Sequence, residues 1–310
     1  MLGLPYMGSK RKLAERIVKF IRHHHPTAEY FYDLFGGGGA VSFAAAKYGF
    51  RVIYNEKNIG VSSLMRQLRI GLPDSVYKWV SREQFHEHRN DNDWYGGYIQ
   101  TVWSFGNDQR TYLYGSDIEG IKRAVHHIIV DMDYDALETL LNEMGHPERY
   151  CHIKTRLSEV TDIDTRRLIW QSIWRRDGAD RLYAELEHLQ RINSLGALCE
   201  EGDGRGLLPP LSPINSLTAI KCGSYDEVEI RPNSVVYLDP PYDGTEKYRE
   251  DIFHDELYEW AKSLDSPCYM SEYSAPFVEV ARWSRRDTRN STDNTKIVTE
   301  RLFRCDQGRQ

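Results

Sequence analysis

A short aromatic and apolar run, residues 30–34 (YFYDL), leads through Phe35 into four consecutive glycines, Gly36 to Gly39. An alanine-rich stretch follows at residues 40–48 and is stopped by Gly49. A second apolar run at residues 51–54 then ends in Asn55 and Glu56. The two runs have the length and residue types of buried strands, and the stretch between them reads as a helix. Strand, glycine turn, helix, and strand with an acid at its tip make one βαβ unit of a parallel sheet.

The rest of the chain is read around that unit. Residues 12–23 place Leu13, Ile17, Phe20 and Ile21 at helical spacing, which predicts a helix with one buried stripe and a basic outer face. From about 60 to 215 the sequence is polar and reads as largely helical, with stripes such as Ile121, Val125, Ile128 and Ile129, or Leu168, Ile169 and Ile173. Two glycine stretches inside it, Gly96-Gly97 and residues 201–206, read as weakly structured. Strand signals resume at 234–238 (SVVYL) and 267–270, with a helix at 255–263 between them. Residues 280–286 and 296–304 read as a hairpin around a turn at 290–294. The expectation is an α/β sheet domain made of residues 1–60 and 216–310, interrupted by a mostly helical insertion at 61–215.

With 310 residues the chain has the length of about two domains or one enlarged α/β unit, and it needs no disulfide or metal to hold a core. Its composition, 40% hydrophobic and 28% charged, excludes a wholly disordered chain. No apolar run reaches the length of a membrane span, and the N-terminus turns basic too early for a secretory signal, so a cytoplasmic protein is expected. The five cysteines are scattered, with no CxxC pair, and no metal cluster is expected. His23, His24 and His25 precede Pro26 and read as a helix-ending surface run. The net charge of −6 argues at face value against nucleic acid. Charge is local, however. Lys10, Arg11, Lys12, Arg16, Lys19 and Arg22 cluster near one end, and seven basic residues between Arg282 and Arg304 near the other. Two readings stand: a phosphate-facing surface, or a solvated helix face with an ordinary hairpin.

Two motifs carry chemistry. In the first, Asp33-Leu34-Phe35-Gly36-Gly37-Gly38-Gly39, glycines let the backbone turn sharply and approach a ligand, and a helix N-terminus follows. Glu56, at the tip of the next strand, stands where a carboxylate accepts both hydroxyls of a ribose. In the second, Asp239-Pro240-Pro241-Tyr242 directly follows the strand SVVYL. Two prolines remove two amide donors, so the local carbonyls act purely as acceptors. Asp239 adds another acceptor and Tyr242 an aromatic face, a set that suits an exocyclic amine on a planar ring.

These residues, in this order, resemble the Dam-like adenine-N6 DNA methyltransferases that use S-adenosylmethionine. Tyr6-Met7-Gly8-Ser9-Lys10 is similar to that family's opening motif, Phe35-Gly36-Gly37-Gly38 to its glycine motif, and Asn55-Glu56-Lys57-Asn58 to its acid after the second strand. Ser224-Tyr225-Asp226, Asp239 to Tyr242, and Ser271-Glu272-Tyr273 complete the set. The resemblance implies a Rossmann-like methyltransferase sheet with a C-terminal antiparallel hairpin and an inserted helical target-recognition domain. It also implies that Tyr6, Gly8, Lys10, Asp33, Phe35, Gly36, Gly38, Glu56, Tyr225, Asp226 and Asp239 form the cofactor site. Asp239 and the Pro240 carbonyl, followed by Pro241, would bind the target amine, and Tyr242 would stack on an adenine flipped out of double-stranded DNA. The methyl group would pass directly to nitrogen. A monomer is expected, and two readings of its role stay open: an orphan enzyme, or one with a cognate restriction endonuclease that it does not touch. Two departures stand out: the family's acid after the second strand is usually Asp, and the central region lacks the recognition motif of GATC-reading members.

Within that region Trp103-Ser104-Phe105-Gly106-Asn107-Asp108-Gln109-Arg110 combines aromatics with groups that read purine edges. Ser104, Phe105, Asn107 and Arg110, together with Lys10, are the candidate DNA contacts, and an aromatic-anchored loop packed on the core is the competing reading. Arg166, Arg167, Arg175 and Arg176 alternate with Asp162, Asp164, Asp177 and Asp180, which favours a solvated, salt-bridged helix over a phosphate site. Rival functions are the same chemistry on cytosine N4, RNA or protein, and a non-catalytic DNA-binding protein of the same fold. A P-loop hydrolase is excluded by the absence of GxxxxGK[ST].

Overall fold

The computed structural model describes residues 3–6, 8–175, 186–200, 212–241, 253–287 and 296–305, without side chains at 285–287 and 296–298. Met7, Tyr242, Arg176 with Asp177 and Asp180, Arg289, the glycine stretch at 201–206 and the turn at 290–294 lie outside the described residues.

The first strand, β1 (Tyr30–Asp33), is preceded by helix α1 (Ala14–His24) and followed by α2 (Ala40–Lys47) and β2 (Arg51–Asn55). Helices α3 (Ile59–Ile70), α4 (Arg82–His88), α5 (Trp94–Val102), α6 (Glu119–Val130), α7 (Tyr134–Glu143), α8 (Tyr150–Ser158), α9 (Ile163–Trp174) and α10 (Glu187–Cys199) come next. The chain then returns to strands β3 (Leu217–Lys221) and β4 (Ser234–Leu238), helix α11 (His254–Ser263), β5 (Cys268–Glu272), and the hairpin β6 (Val278–Asp287) and β7 (Lys296–Arg304). The seven strands form one sheet in the order β3-β2-β1-β4-β5-β7-β6. Strands β3 to β5 run parallel, whereas β7 is antiparallel to both β5 and β6.

Period-two alternation decides which face each residue joins. Phe31, Val52, Tyr54, Val235 and Tyr237 enter one apolar cluster, which continues through α1, α2, α3 and α5 into residues of α6 to α10. Tyr32, Leu34, Ile53, Val236 and Leu238 enter the other, closed by Leu257 and Ala261 of α11. Strand β4 is buried over its whole length, which explains its unbroken apolar sequence. Strand β3 had no signal of its own. It is a half-buried edge strand with one fully buried position, Leu217, and it pairs with β2. The boundary placed at residue 60 falls inside α3.

Gly96-Gly97 is not weakly structured: both residues lie within α5. The reason is a close approach between α5 and α3, since a Cβ at Gly97 would stand 2.0 Å from the Gly60 carbonyl oxygen. At the other end of α5, the buried Arg191 of α10 donates to the carbonyls of Thr101, Val102 and Ser104 at 3.1, 3.0 and 2.7 Å. One guanidinium thereby satisfies acceptors that a helix end leaves open. On α9, Arg166 and Arg167 are also buried rather than solvated, with Arg167 Nε donating to Asp164 at 2.7 Å. In the basic N-terminal segment, Lys12, Arg16 and Lys19 stay exposed, while Arg22 lies over the Phe50 ring and donates to the Ala28 carbonyl at 2.7 Å. Among the described residues no helix is long and apolar enough to cross a membrane.

Gly97→Ala is expected to force α3 and α5 apart and lower unfolding free energy by about 1–3 kcal/mol. Gly196→Ala, in α10 with open space around the position, should raise it by about 0.5–1 kcal/mol. Urea melts of the two variants check the contrast.

Candidate active site

Strand order reverses between β1 and β4, and in open α/β sheets ligands bind outside the carboxyl ends of the strands at such a point. Asp33 ends β1 and Asp239 follows β4, so both sit there. Asp33 accepts from Ser42 Oγ of α2 at 2.7 Å through Oδ2. Its Oδ1 is buried and has no partner among the described residues. Burial pushes the Asp33 carboxyl up to about 7, against the Ser42 bond and with the help of the Asp239 and Glu56 charges.

Asp239 is held by Lys10, whose Nζ lies 2.7 Å from Asp239 Oδ1 and 3.1 Å from Glu300 Oε1 on β7. The Lys10 and Glu300 side chains are 6% and 5% exposed, while Asp239 keeps 18% and is the most open of the three. Burial pushes the Asp239 carboxyl up to about 6; Lys10 opposes this and Glu300 adds to it. Burial disfavours the Lys10 ammonium, but Asp239 and Glu300 outweigh it and leave its pKa raised. Lys10, a candidate DNA contact, is therefore buried beside two carboxylates. Pro240 is buried beside Asp239 and Pro241 half-buried.

Glu56 follows β2 and accepts the backbone N–H of Gly37 and of Asn58, each at 2.8 Å. The glycine turn is packed by the protein's own rings. A Cβ at Gly36 would meet the Tyr54 ring at 2.2 Å, and one at Gly37 would meet the Tyr6 ring at 3.0 Å. Tyr54 Oη donates to the Gly37 carbonyl at 2.7 Å, and the Leu4 N–H donates to that of Gly38 at 2.7 Å. The glycines thus serve internal close approach first. Gly8, in the same N-terminal segment, has a left-handed backbone at φ +72°. Tyr225 stacks on Phe35 with centroids 5.5 Å apart, and Asn55 Nδ2 ties this wall together by donating to the Leu34 and Gly223 carbonyls. Asp226 points outward, exposed.

The 103–110 segment divides. Trp103 is buried and stacks on His188 at 4.3 Å, and Ser104 is buried with Oγ donating to the Gln100 carbonyl at 2.6 Å. Those two anchor the loop, and the Ser104 hydroxyl faces inward. Phe105 is 62% exposed, Arg110 is exposed, and Asn107 is partly so. Asn107 and Gln109 both adopt left-handed backbones, at φ +60° and +62°. Asn58 Nδ2 donates to Gln100 Oε1 at 2.8 Å and to Gln109 Oε1 at 3.3 Å. The residue that caps α3 beside Glu56 therefore also holds this loop. Elsewhere, His126, His127 and Asp131 bring ligand-type atoms within 4.8 Å of one another, with His127 and Asp131 paired at 2.6 Å in an (i, i+4) contact.

Sequence reasoning missed Glu300. Its signal was an acid on an apolar alternation, two residues from Val298 and two from Leu302.

A mostly parallel sheet with carboxylates gathered at its switch point defines a protein of the α/β class with its candidate ligand crevice there. The model of the D12 class N6 adenine-specific DNA methyltransferase family matches residues 6–101 and 211–298. These two blocks cover more than half of the chain, which belongs to that family and is an adenine-specific DNA methyltransferase. A search of curated proteins gives no match.

With its carboxyl held above the usual range, folded Asp33 opposes ionisation, so its contribution to stability is full below pH about 4 and is lost as pH rises through about 7. Asp33→Asn is therefore expected to stabilise the ligand-free protein at pH 8 by about 2–4 kcal/mol, with the gain vanishing near pH 4. Denaturant melts across pH check it.

Proposed function

We propose that this enzyme transfers a methyl group from S-adenosylmethionine to the N6 amine of an adenine flipped out of duplex DNA. The observation that carries the reading is the placement of Asp239 at the switch point, mostly buried yet the most open member of its ion cluster, directly before two prolines. S-adenosylmethionine supplies an electrophilic methyl on a sulfonium, and the donor set fits such a cation. Asp33 Oδ1 is a buried acceptor with no partner among the described residues, suited to an ammonium. Glu56 stands at the tip of β2, where a carboxylate meets ribose hydroxyls, and Phe35 and Tyr225 form an aromatic wall. Tyr6 packs against the glycine turn at Gly37 and Gly38.

Asp239 and the Pro240 carbonyl accept the hydrogens of the target amine and so turn its lone pair toward the methyl. Fixed acceptors of this kind act without reorganisation in a site that excludes water. Holding both reactants in line is itself worth several kcal/mol of barrier. Tyr242 stacks on the extruded base, which must leave the duplex because its amine is otherwise paired.

Residues 61–215 contain a stretch, 102–210, that the family match passes over, and we assign target recognition to this helical insertion. Exposed Phe105 and Arg110, with Asn107, face DNA from a loop whose left-handed residues are costly unless the surroundings hold them. Ser104 and Lys10 support that surface from inside.

Incubation with labelled S-adenosylmethionine and mixed-sequence duplex is expected to give N6-methyladenine on nucleoside digestion, and none with Asp239→Ala in a folded protein. The rate should fall as pH drops below about 6, where Asp239 gains a proton and loses its acceptor. Tyr242→Ala should weaken the flipped-base complex by about 1–3 kcal/mol. Label found only in cytosine, RNA or protein would contradict the reading.

A further inference from the structure

Glu300 belongs to β7, which is separated from β4 by β5, and the described contacts link it to Asp239 through Lys10. An acid almost fully buried in a strand needs charged or polar partners, and one that the structure gives Glu300 is the ammonium that also serves Asp239. Lys10 alone with Asp239 would make a neutral pair in which the ammonium draws on the lone pairs that the target amine needs. A second carboxylate 3.1 Å from the same ammonium divides that demand. We propose that Glu300 is a positioning residue for methyl transfer: it seats the Lys10 ammonium and offsets its charge, so that Asp239 keeps its acceptor strength toward the amine.

This rests on the function proposed above. The groups that act on Asp239 are Lys10 from the N-terminal segment, Glu300 from β7, Asp33 from β1 and Tyr237 from β4 itself. Lys10 opposes and Glu300 favours protonation of Asp239. Neutralising Glu300 therefore moves the acid limb of the rate profile to lower pH while lowering the plateau. A side chain that merely supported the fold would do neither.

The test is the pH dependence of kcat for Glu300→Gln, Glu300→Asp and the double variant Lys10→Met/Glu300→Gln, on duplex DNA with saturating S-adenosylmethionine. For Glu300→Gln we expect kcat to fall about tenfold or more, with a smaller change in KM for S-adenosylmethionine and an acid limb displaced downward. Glu300→Asp, which keeps the charge, should recover a large part of kcat and the wild-type limb. In Lys10→Met protein the added Glu300→Gln change should cost far less than in wild type, because the ammonium it serves is gone. If Glu300→Gln does not fold, the double variant, which leaves Asp239 as the one charge of the three, supplies the same comparison with Lys10→Met alone. An active wild type with unchanged kcat and limb in Glu300→Gln would overturn this inference and leave the proposed function standing. So would additive losses in the double variant. A wild type that makes no N6-methyladenine would overturn the proposed function and this inference with it.

Discussion

One buried ammonium between a buried and a partly buried carboxylate ties the ends of this chain to its middle. Lys10 comes from the N-terminal segment, Asp239 from the end of β4 and Glu300 from the last strand, and their contacts are 2.7 and 3.1 Å. Ion clusters inside a protein are costly unless their geometry is good, and breaking one by removing a single partner leaves an uncompensated charge. Such a cluster is a poor means of stabilising a fold but a good means of fixing where charges sit. Asp33 at about 7 and Asp239 at about 6 show the same logic, because the switch point holds acids that the fold alone would rather keep protonated. The cationic cofactor proposed for this site would relieve that condition.

Much of this arrangement was legible in the sequence because each element of the sheet carried a pattern its environment required. Strand β4 reads as SVVYL because both of its faces are covered, and β1 and β2 alternate between two clusters. The order Asp33, Glu56, Asp239 along the chain became a group in space once the parallel sheet was recognised. What escaped was whatever depended on packing partners far away in sequence. Strand β3 lacks a buried run because it lies at the sheet edge, and Glu300, in a segment notable for its basic residues, betrayed its burial only by alternating with Val298 and Leu302. Gly96-Gly97 looked like a loop because glycine usually is one; only the 2.0 Å approach to Gly60 explains it as a helix crossing.

The same distinction applies to the site. The glycine turn was read as room for a ligand, yet Tyr54 beneath and Tyr6 above occupy the space closest to Gly36 and Gly37. Both readings are compatible, since a tightly packed turn is what fixes Asp33, Phe35 and the Gly37 N–H that holds Glu56. Asn58 extends the connection outward. It caps α3 beside Glu56 and also holds Gln109 in the 103–110 loop, so the wall proposed for the cofactor and the loop proposed for DNA share a hydrogen-bonding residue.

The most direct measurement of the central claim is a crystal structure with a non-reactive analogue of S-adenosylmethionine and a duplex carrying a methylatable site. The account predicts an extruded adenine whose N6 lies about 3 Å from Asp239 and from the Pro240 carbonyl, with the analogue bound between Asp33 and Glu56. An adenine left in the stack, or a notch at Asp239 filled by the protein's own side chains in that complex, would contradict it.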